Sequence, residues 1–371
     1  MSLLLSRRFS FGTLPAAGLA PMGTSFSAPT PEPVLNLSSC FSLRHVFLIL
    51  ASWLLARCLS VVVAIVQATK RSEAAPEEAV MELSAASGPS LVAGASLPRV
   101  ETPSPGTRVE HAWCKLHASN FHVRSGPDYS RNKLKTASQP ALGEVVAIDV
   151  FRTQRKMHNL LQLNHIEPPA PTTGWSEPYP EFFIVNQQLP VHFNHSIFAG
   201  PDADGETLNL ISYIRMRAGI GRGWCGSAEP RGAEELLKRF LMRAEQDPSV
   251  AHCLKEIGII LNLADVTQSI PSALARLLKR FNGKPVLTRP EHTFYREPTN
   301  RWLTVDVDGH QYMYTTRSAL ALGIRSLREL VLGYGLLVEA RAEQEMPEVM
   351  ASSCMLLRLD PDRCQPFPPE R

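Results

Sequence analysis

The 371-residue sequence lacks the short motifs by which catalytic and metal-binding chains are usually recognised. Its seven cysteines form no CxxC pair and follow no regular spacing, which gives no support to a zinc ribbon or a disulfide framework. No GxSxG, HExxH or GxxxxGKS/T sequence occurs, so no serine hydrolase, zinc peptidase or P-loop site is predicted. We therefore expect no metal, no cofactor and no enzymatic activity, and we assign the thiols to a reduced compartment.

Aromatic residues make up only 7% of the chain, and the formal net charge is only +3. Proteins that bind single-stranded nucleic acid stack its bases on aromatic side chains within strongly basic surfaces. Because the sequence has little of either feature, we predict no nucleic-acid partner. Its hydrophobic content of 44% is nevertheless sufficient to bury a core.

Two weak motifs are interpreted as loops. Residues 221–226, GRGWCG, satisfy the GxGxxG pattern, but in dinucleotide-binding folds the third glycine opens a helix whose amides face the pyrophosphate. Here residues 227–232, which include Pro230, separate the motif from the next helical pattern. His192 and His195 have no cysteine or carboxylate nearby at metal-ligand spacing, so they do not predict a metal site.

Three segments precede the folded part of the chain. Residues 1–44 are rich in serine and proline, and we predict that they are disordered or act as a targeting segment. A transmembrane helix is predicted over 45–67. Residues 68–110 have the alanine, serine, proline and glutamate content of a linker.

The predicted transmembrane helix rests on the run VFLILASWLLARCLSVVVAIV at 46–66, whose 21 residues would span about 30 Å as a helix. Its 13 Val, Leu, Ile and Phe residues contribute about −4 to −8 kcal/mol of insertion free energy, against about +3 kcal/mol for Arg57. With Arg44 before the run and Lys70 and Arg71 after it, the charges favour a single-pass membrane protein whose folded domain is cytoplasmic. The alternative is an organelle-targeting signal that is later cleaved.

The segment 296–348 has the most specific pattern in the folded part. Residues 302–307 alternate in polarity, which is typical of a half-buried strand, and Asp308-Gly309 is a turn signal. From Thr316 the apolar spacing lengthens to that of a helix. Asp306 and Asp308 point to the same face of the strand, so an enzyme that uses them as paired acid and base is one alternative to a purely structural role.

Several other strands and helices are predicted from the same two periodicities. The strands include 182–189 and 208–216, and the amphipathic helices include 233–243 and 272–281. We predict an α+β domain over 111–360, in which a mainly antiparallel sheet packs with several helices, followed by a tail over 361–371. The disordered N-terminus and one hydrophobic helix would precede it.

Two basic zones remain without an assigned role. The first contains Arg124, Arg131, Lys133 and Lys135 with Asp128 as its acid, and the second contains Arg276, Lys279, Arg280 and Lys284 with no acid. Such zones are usually solvated surface. Next to a membrane, however, each Lys or Arg contributes about 1 kcal/mol of attraction to an anionic leaflet. These eight residues are therefore our candidate contacts to membrane lipid.

The folded part also resembles a known family. FHVRSGPDYSRNKLK (Phe121–Lys135) is similar to the opening of the C-terminal domain of the plant Enhanced Disease Resistance 2 proteins, apart from the additional Ser125. The resemblance continues in the same order to about residue 360, through FFIVNQQLP (182–190), LLKRF (236–240), LKEIG (254–258), KPVLT (284–288), LTVDVD (303–308), LGYGLLVEA (332–340) and EMPE (345–348).

The resemblance implies a non-enzymatic, membrane-associated role in lipid-linked regulation. We therefore expect a lipid-binding or regulatory domain whose partner is an anionic membrane lipid. The alternative is a protein-interaction scaffold, although the sequence identifies no protein partner. The family carries no accepted catalytic residues that could be assigned to positions in this chain.

Overall fold

The structure, a computed structural model, describes residues 91–367 apart from 105, 127, 162–165, 193–202, 223–231, 269–271, 273–275, 277–278, 280–281, 288–290, 313–316, 318–323 and 325. The predicted N-terminal segment 1–44 and the hydrophobic segment 46–66 lie outside the described residues. Residues 91–100, inside the predicted linker, pack on the domain, where Leu97 is fully buried. The Asp149 carboxylate accepts hydrogen bonds from the Gly94 and Ser96 amides at 2.7 and 2.9 Å.

Strands dominate the described residues. They are β1 (Leu91–Val92), β2 (Ala112–Lys115), β3 (His122–Arg124), β4 (Lys135–Ala137), β5 (Gly143–Thr153), β6 (Ile166–Glu167), β7 (Phe182–Pro190), β8 (Thr207–Met216), β9 (Leu254–Ile260), β10 (Pro285–Leu287), β11 (His292–Arg296), β12 (Trp302–Asp308), β13 (Val331–Val338), β14 (Met350–Leu357) and β15 (Gln365–Pro366).

Two larger sheets contain most of these strands. One has five strands in the order β10-β9-β13-β14-β2, all antiparallel. The other has six strands in the order β11-β12-β7-β8-β5-β15, with β12–β7 and β15–β5 parallel and the rest antiparallel. Two smaller sheets are the parallel pair β1–β6 and the antiparallel hairpin β3–β4.

Four helices have their bounds within the described residues: α1 (Tyr129–Asn132), α2 (Gly232–Arg243), α3 (Pro248–Ala251) and α4 (Leu263–Gln268). Only α2, with 12 residues, is longer than six. Its acidic first turn and basic last turn complement the helix dipole. Gly232 opens it against the backbone of Gln344, where a Cβ would collide with the carbonyl oxygen.

The predicted α+β class is therefore wrong, because the proportion of strand to helix is higher than predicted. The chain forms a β-rich fold of several sheets rather than one sheet packed with several helices. The physical reason is that the two larger sheets cover each other, since one hydrophobic core contains residues of both. Helix α2 is the one bounded helix that contributes a row of buried side chains to that core.

The strand that was predicted to be half-buried is covered on both faces. Leu303, Val305 and Val307 of β12 belong to the core between the sheets. On the other face, Asp306 and Asp308 are only 2% and 4% exposed, because residues 156–159 lie over them. A buried polar face of this kind has the same alternating sequence pattern as a solvent-exposed one.

The predicted single-pass membrane localisation is also corrected. Among residues 91–367, with the gaps given above, no helix is both long and apolar enough to cross a bilayer. The run at 46–66 on which the prediction rested lies outside the described residues.

Phe240 of helix α2 provides a test of the core. Its ring is fully buried and packs edge-on against Phe183 and Phe294, both at 5.7 Å between centroids. We expect Phe240→Ala to lower the free energy of unfolding by about 3–5 kcal/mol, because it removes buried area and leaves a cavity. Met242→Ala, at a position 40% exposed on the same helix, should change it by less than about 0.5 kcal/mol. Chemical denaturation measures both, and equal effects would contradict the packing described.

Candidate functional site

The first basic zone forms a hairpin on the outer face of the five-stranded sheet. Strands β3 and β4 pair with Arg124 opposite Lys135, and α1 lies in the connection between them. Phe121 and Val123 are buried against Ile257 and neighbouring apolar residues of the sheet. This packing fixes the basic residues of the hairpin against one face of the sheet.

A buried ion network joins the hairpin to the sheet. Arg124 Nη2 lies 2.5 Å from Glu348 Oε1, and Lys255 Nζ lies 2.8 Å from Glu339 Oε1 and 3.6 Å from Glu348 Oε1. Arg124 also donates to the carbonyl of Ala340. The side chains of Glu348 and Lys255 are 3% and 8% exposed, so all of these charges need partners to offset their desolvation. The positive charges of the two cations and the negative charges of the two carboxylates therefore neutralise one another.

A cleft of about 220 Å³ opens above this network, between the hairpin and the sheet. Its volume is below the 300–1,000 Å³ typical of pockets for drug-sized ligands, so it suits a small chemical group. Half of its wall is apolar or aromatic and half is charged. The lining residues are Val123, Arg124, Tyr129, Lys135, Lys255, Ile257, Pro285, Leu337, Glu339 and Glu348.

Lys135 gives the cleft its electrostatic character. The ion pairs in the cleft belong to Arg124 and Lys255, and we find none for Lys135 within the described part of the chain. Partial burial lowers the pKa of Lys135, and the positive charge of Lys284 lowers it further. The charge of Glu348 acts in the opposite direction, so burial remains the main cause, and a bound anion would offset the cost of desolvating the ammonium group.

The other predicted residues of the first zone lie around the hairpin. Two cations there make cation–π contacts with one ring: the Arg124 guanidinium and the Lys133 ammonium lie 5.5 and 5.6 Å from the centroid of the Tyr129 ring. Arg131 is on the surface, where it pairs with Asp128. Of the four predicted residues, Arg124 and Lys135 line the cleft, and Arg131 and Lys133 lie outside its lining.

Among its described residues, the second zone meets the cleft at its C-terminal end. Lys284 is exposed and precedes Pro285, which lines the cleft, and its charge acts on Lys135. Arg276 and Lys279 are exposed helical residues that do not line the cleft. Arg280 lies outside the described residues. Among the described residues, the fold thus brings both ends of the first zone, Arg124 and Lys135, to the cleft together with the C-terminal end of the second zone.

Three residues of the site were missed by reasoning from charge runs. Lys255 lies in an otherwise mostly apolar strand pattern, Glu339 and Glu348 lie in a segment of mixed charge, and tertiary folding brings the three together. A signal was present, because each lies in one of the phrases that resemble the Enhanced Disease Resistance 2 domain: LKEIG, LGYGLLVEA and EMPE. An ionised side chain inside a β-strand pattern such as LKEIG predicts a buried partner.

The two aspartates considered for acid–base chemistry lie in a different polar network, on the outer face of the six-stranded sheet. Asp308 Oδ2 accepts a hydrogen bond from Lys156 Nζ at 2.7 Å. Asp306 accepts a hydrogen bond from Asn186 at 3.0 Å. Its carboxylate also lies 3.5 Å from Nδ1 of His158, and the hydrogen bond between Asp306 and His158 raises the pKa of His158. The pairs hold the segment 156–159 over the sheet. The enzymatic alternative stays a prediction.

In the described part of the glycine segment, backbone amides that could bind a phosphate already donate hydrogen bonds to carboxylates of the protein. The amide of Gly221 donates to the buried carboxylate of Glu234 at 3.2 Å, and the amide of Gly219 donates to Glu177 at 3.0 Å. The remainder of GRGWCG lies outside the described residues.

The two histidines considered as metal ligands do not form a site in the described part of the chain. His192 pairs with Glu206 at 2.6 Å, and His195 lies outside the described residues. No metal-binding cluster occurs among the described residues.

Comparison with known families agrees with the resemblance found in the sequence. The family described as Protein Enhanced Disease Resistance 2, C-terminal, matches residues 113–360, a range that contains every residue lining the cleft. No curated protein and no solved structure matches the chain. The predicted resemblance is thereby confirmed. The family description attaches no ligand and no activity to the domain.

Glu348 tests the ion network. We expect Glu348→Gln to lower the free energy of unfolding by about 3 kcal/mol, because it leaves Arg124 and Lys255 with one carboxylate for two buried cations. Glu343→Gln, at an exposed position of the same connection, should change it by less than about 0.5 kcal/mol. Urea denaturation compares the two variants. A Glu348→Gln protein as stable as the control would show that the network is dispensable.

The pKa of Lys135 gives a second test. Its depression is caused first by burial and second by Lys284, so Lys284→Met should raise the pKa toward the ordinary value for lysine. Lys115→Met removes an exposed lysine that pairs with Glu144 and should leave the pKa of Lys135 unchanged. NMR titration of isotope-labelled lysine side chains measures both shifts. An unchanged pKa in Lys284→Met would refute the proposed coupling.

Proposed function

Because the chain belongs to the family of the Protein Enhanced Disease Resistance 2 C-terminal domain, we propose that its folded domain is a non-enzymatic regulatory module. It docks on membranes by holding the phosphorylated head group of an anionic lipid in the cleft at Lys135. The observation that carries the proposal is a cleft lined by Lys135 in which the other charges neutralise one another, while no ion pair is found for Lys135 among the described residues.

Charge balance supports an anion as the ligand. The lining contains three cations and two carboxylates, so its charges do not cancel and one positive charge is left over. A phosphate group accepts several charge-assisted hydrogen bonds, which are stronger than neutral ones. Its binding beside Lys135 and Lys284 would reduce their mutual repulsion, whereas a cation would increase it.

Size supports a head group rather than a whole lipid. The cleft volume of about 220 Å³ holds a phosphorylated group, whereas the acyl chains would extend away from it. The two main sheets bury their facing side chains against each other, including the fully buried Phe183 and Leu336. This packing favours docking on a membrane over carriage of a lipid inside the domain.

Binding to a phosphorylated head group tests the proposal. We expect inositol trisphosphate to bind the full chain, and Lys135→Met to weaken it by about 1 kcal/mol, or roughly fivefold. Lys115→Met serves as the matched control, since it removes an exposed lysine outside the cleft. The affinity should fall as the pH rises through the lowered pKa of Lys135, because the neutral amine no longer attracts the anion. Titration calorimetry measures each constant.

Vesicles distinguish a lipid from a soluble phosphate. The full chain should co-sediment more with phosphatidylcholine vesicles that contain a phosphoinositide than with phosphatidylcholine alone, and salt should weaken the difference. The segment 46–66 is common to all variants, so the change caused by Lys135→Met reports on the cleft. Binding of inositol trisphosphate without any vesicle preference would indicate a soluble ligand, and binding of neither would refute the proposal.

A further inference from the structure

The connection between β3 and β4 presents an apolar side chain to solvent. Leu134 is 60% exposed, more than any other large hydrophobic side chain among the described residues. It lies directly between Lys133 and Lys135, and Lys135 lines the cleft. A single exposed apolar side chain is common on protein surfaces, and what distinguishes Leu134 is its place between two lysines at the edge of the cleft.

The backbone around Leu134 holds the side chain in this exposed position. Ser125 donates to the Leu134 carbonyl from its amide and its hydroxyl, at 3.2 and 3.0 Å. The Leu134 amide donates to Asn132 Oδ1 at 2.8 Å, and Lys133 adopts the left-handed conformation with φ +55°. Ser125 is the additional residue in the phrase that resembles the family, so this chain's own departure helps to fix the exposed turn.

The surroundings of Leu134 are cationic. Lys133 and Arg131 are exposed beside it, and Asp128 offsets only the charge of Arg131, with which it pairs. Lys133 is held near the surface by donation to the Ser130 carbonyl at 2.7 Å and by the ring of Tyr129. A leucine surrounded by cations matches the boundary of an anionic bilayer, where the apolar group enters the acyl region and the cations contact phosphates.

We propose that the turn before β4 inserts Leu134 into the surface of an anionic bilayer while the adjacent cleft holds a head group. This inference rests on the proposed function and adds a second, apolar contact to it. A protein partner fits less well, since stable interfaces bury about 1,200–2,000 Å² and one leucine supplies a small fraction of that area. A bilayer requires no matching surface around the inserted side chain.

Tryptophan placed at the turn tests insertion directly in the full chain. We expect Leu134→Trp to shift its emission to shorter wavelength with phosphoinositide-containing vesicles, and brominated acyl chains to quench it. Val92→Trp is the matched control, because Val92 is 56% exposed but lies in β1, whose strand pair packs with the outer core of the six-stranded sheet. It should show neither effect. Spectra of the parent chain are subtracted, since it has five tryptophans.

A neutral polar substitution separates this inference from the proposed function. Leu134→Asn should weaken binding to anionic vesicles about tenfold, because it removes the inserted apolar group, and should leave the affinity for inositol trisphosphate unchanged, whereas Lys135→Met should weaken both. An unshifted tryptophan at 134, with head-group binding intact, would overturn the inference and leave the proposed function standing. Equal insertion into pure phosphatidylcholine would overturn the assignment to an anionic surface.

Discussion

The structure of the candidate site depends on one network of four ionised side chains, of which two are buried and two are partly buried. Arg124 comes from the hairpin, Lys255 from β9, Glu339 from the end of β13 and Glu348 from the segment before β14. Each would be costly to bury alone, but together they satisfy one another. The network therefore attaches the hairpin to the sheet and sets the floor of the cleft. Because the charges of this floor neutralise one another, the proposed attraction of an anion depends on Lys135 at the edge of the cleft.

The hairpin carries Lys135 at the edge of the cleft and the exposed Leu134 next to it, and Lys284 adds its charge from the position before β10. In the proposed docking, the lysines would attract an anion over distance, an effect that salt screens, whereas Leu134 would contribute only on contact. A membrane surface offers both phosphate and hydrocarbon within a few ångströms. The two proposals therefore describe one docking geometry, although each depends on different residues and can fail separately.

Local patterns located many elements, and tertiary packing decided their class and burial. The strand predicted at 182–189 and the helix predicted at 233–243 lie almost where their periodicities indicated, at Phe182–Pro190 and Gly232–Arg243. The α+β class failed because periodicity shows that a face is apolar and does not show what covers it. The same limitation made the face of Asp306 look solvent-exposed, whereas residues 156–159 cover it.

The sequence alone determined the family, through ordered phrases that need no three-dimensional information, and it located the basic residues from which the site draws Arg124, Lys135 and Lys284. Only the tertiary structure decided which charges remain available to a ligand. Glu339 and Glu348 are more than 200 residues from Arg124 along the chain, yet they neutralise it and Lys255, while no carboxylate is paired with Lys135 in the described part of the domain. Electrostatic energy depends on distance in space, which charge order along a chain does not specify.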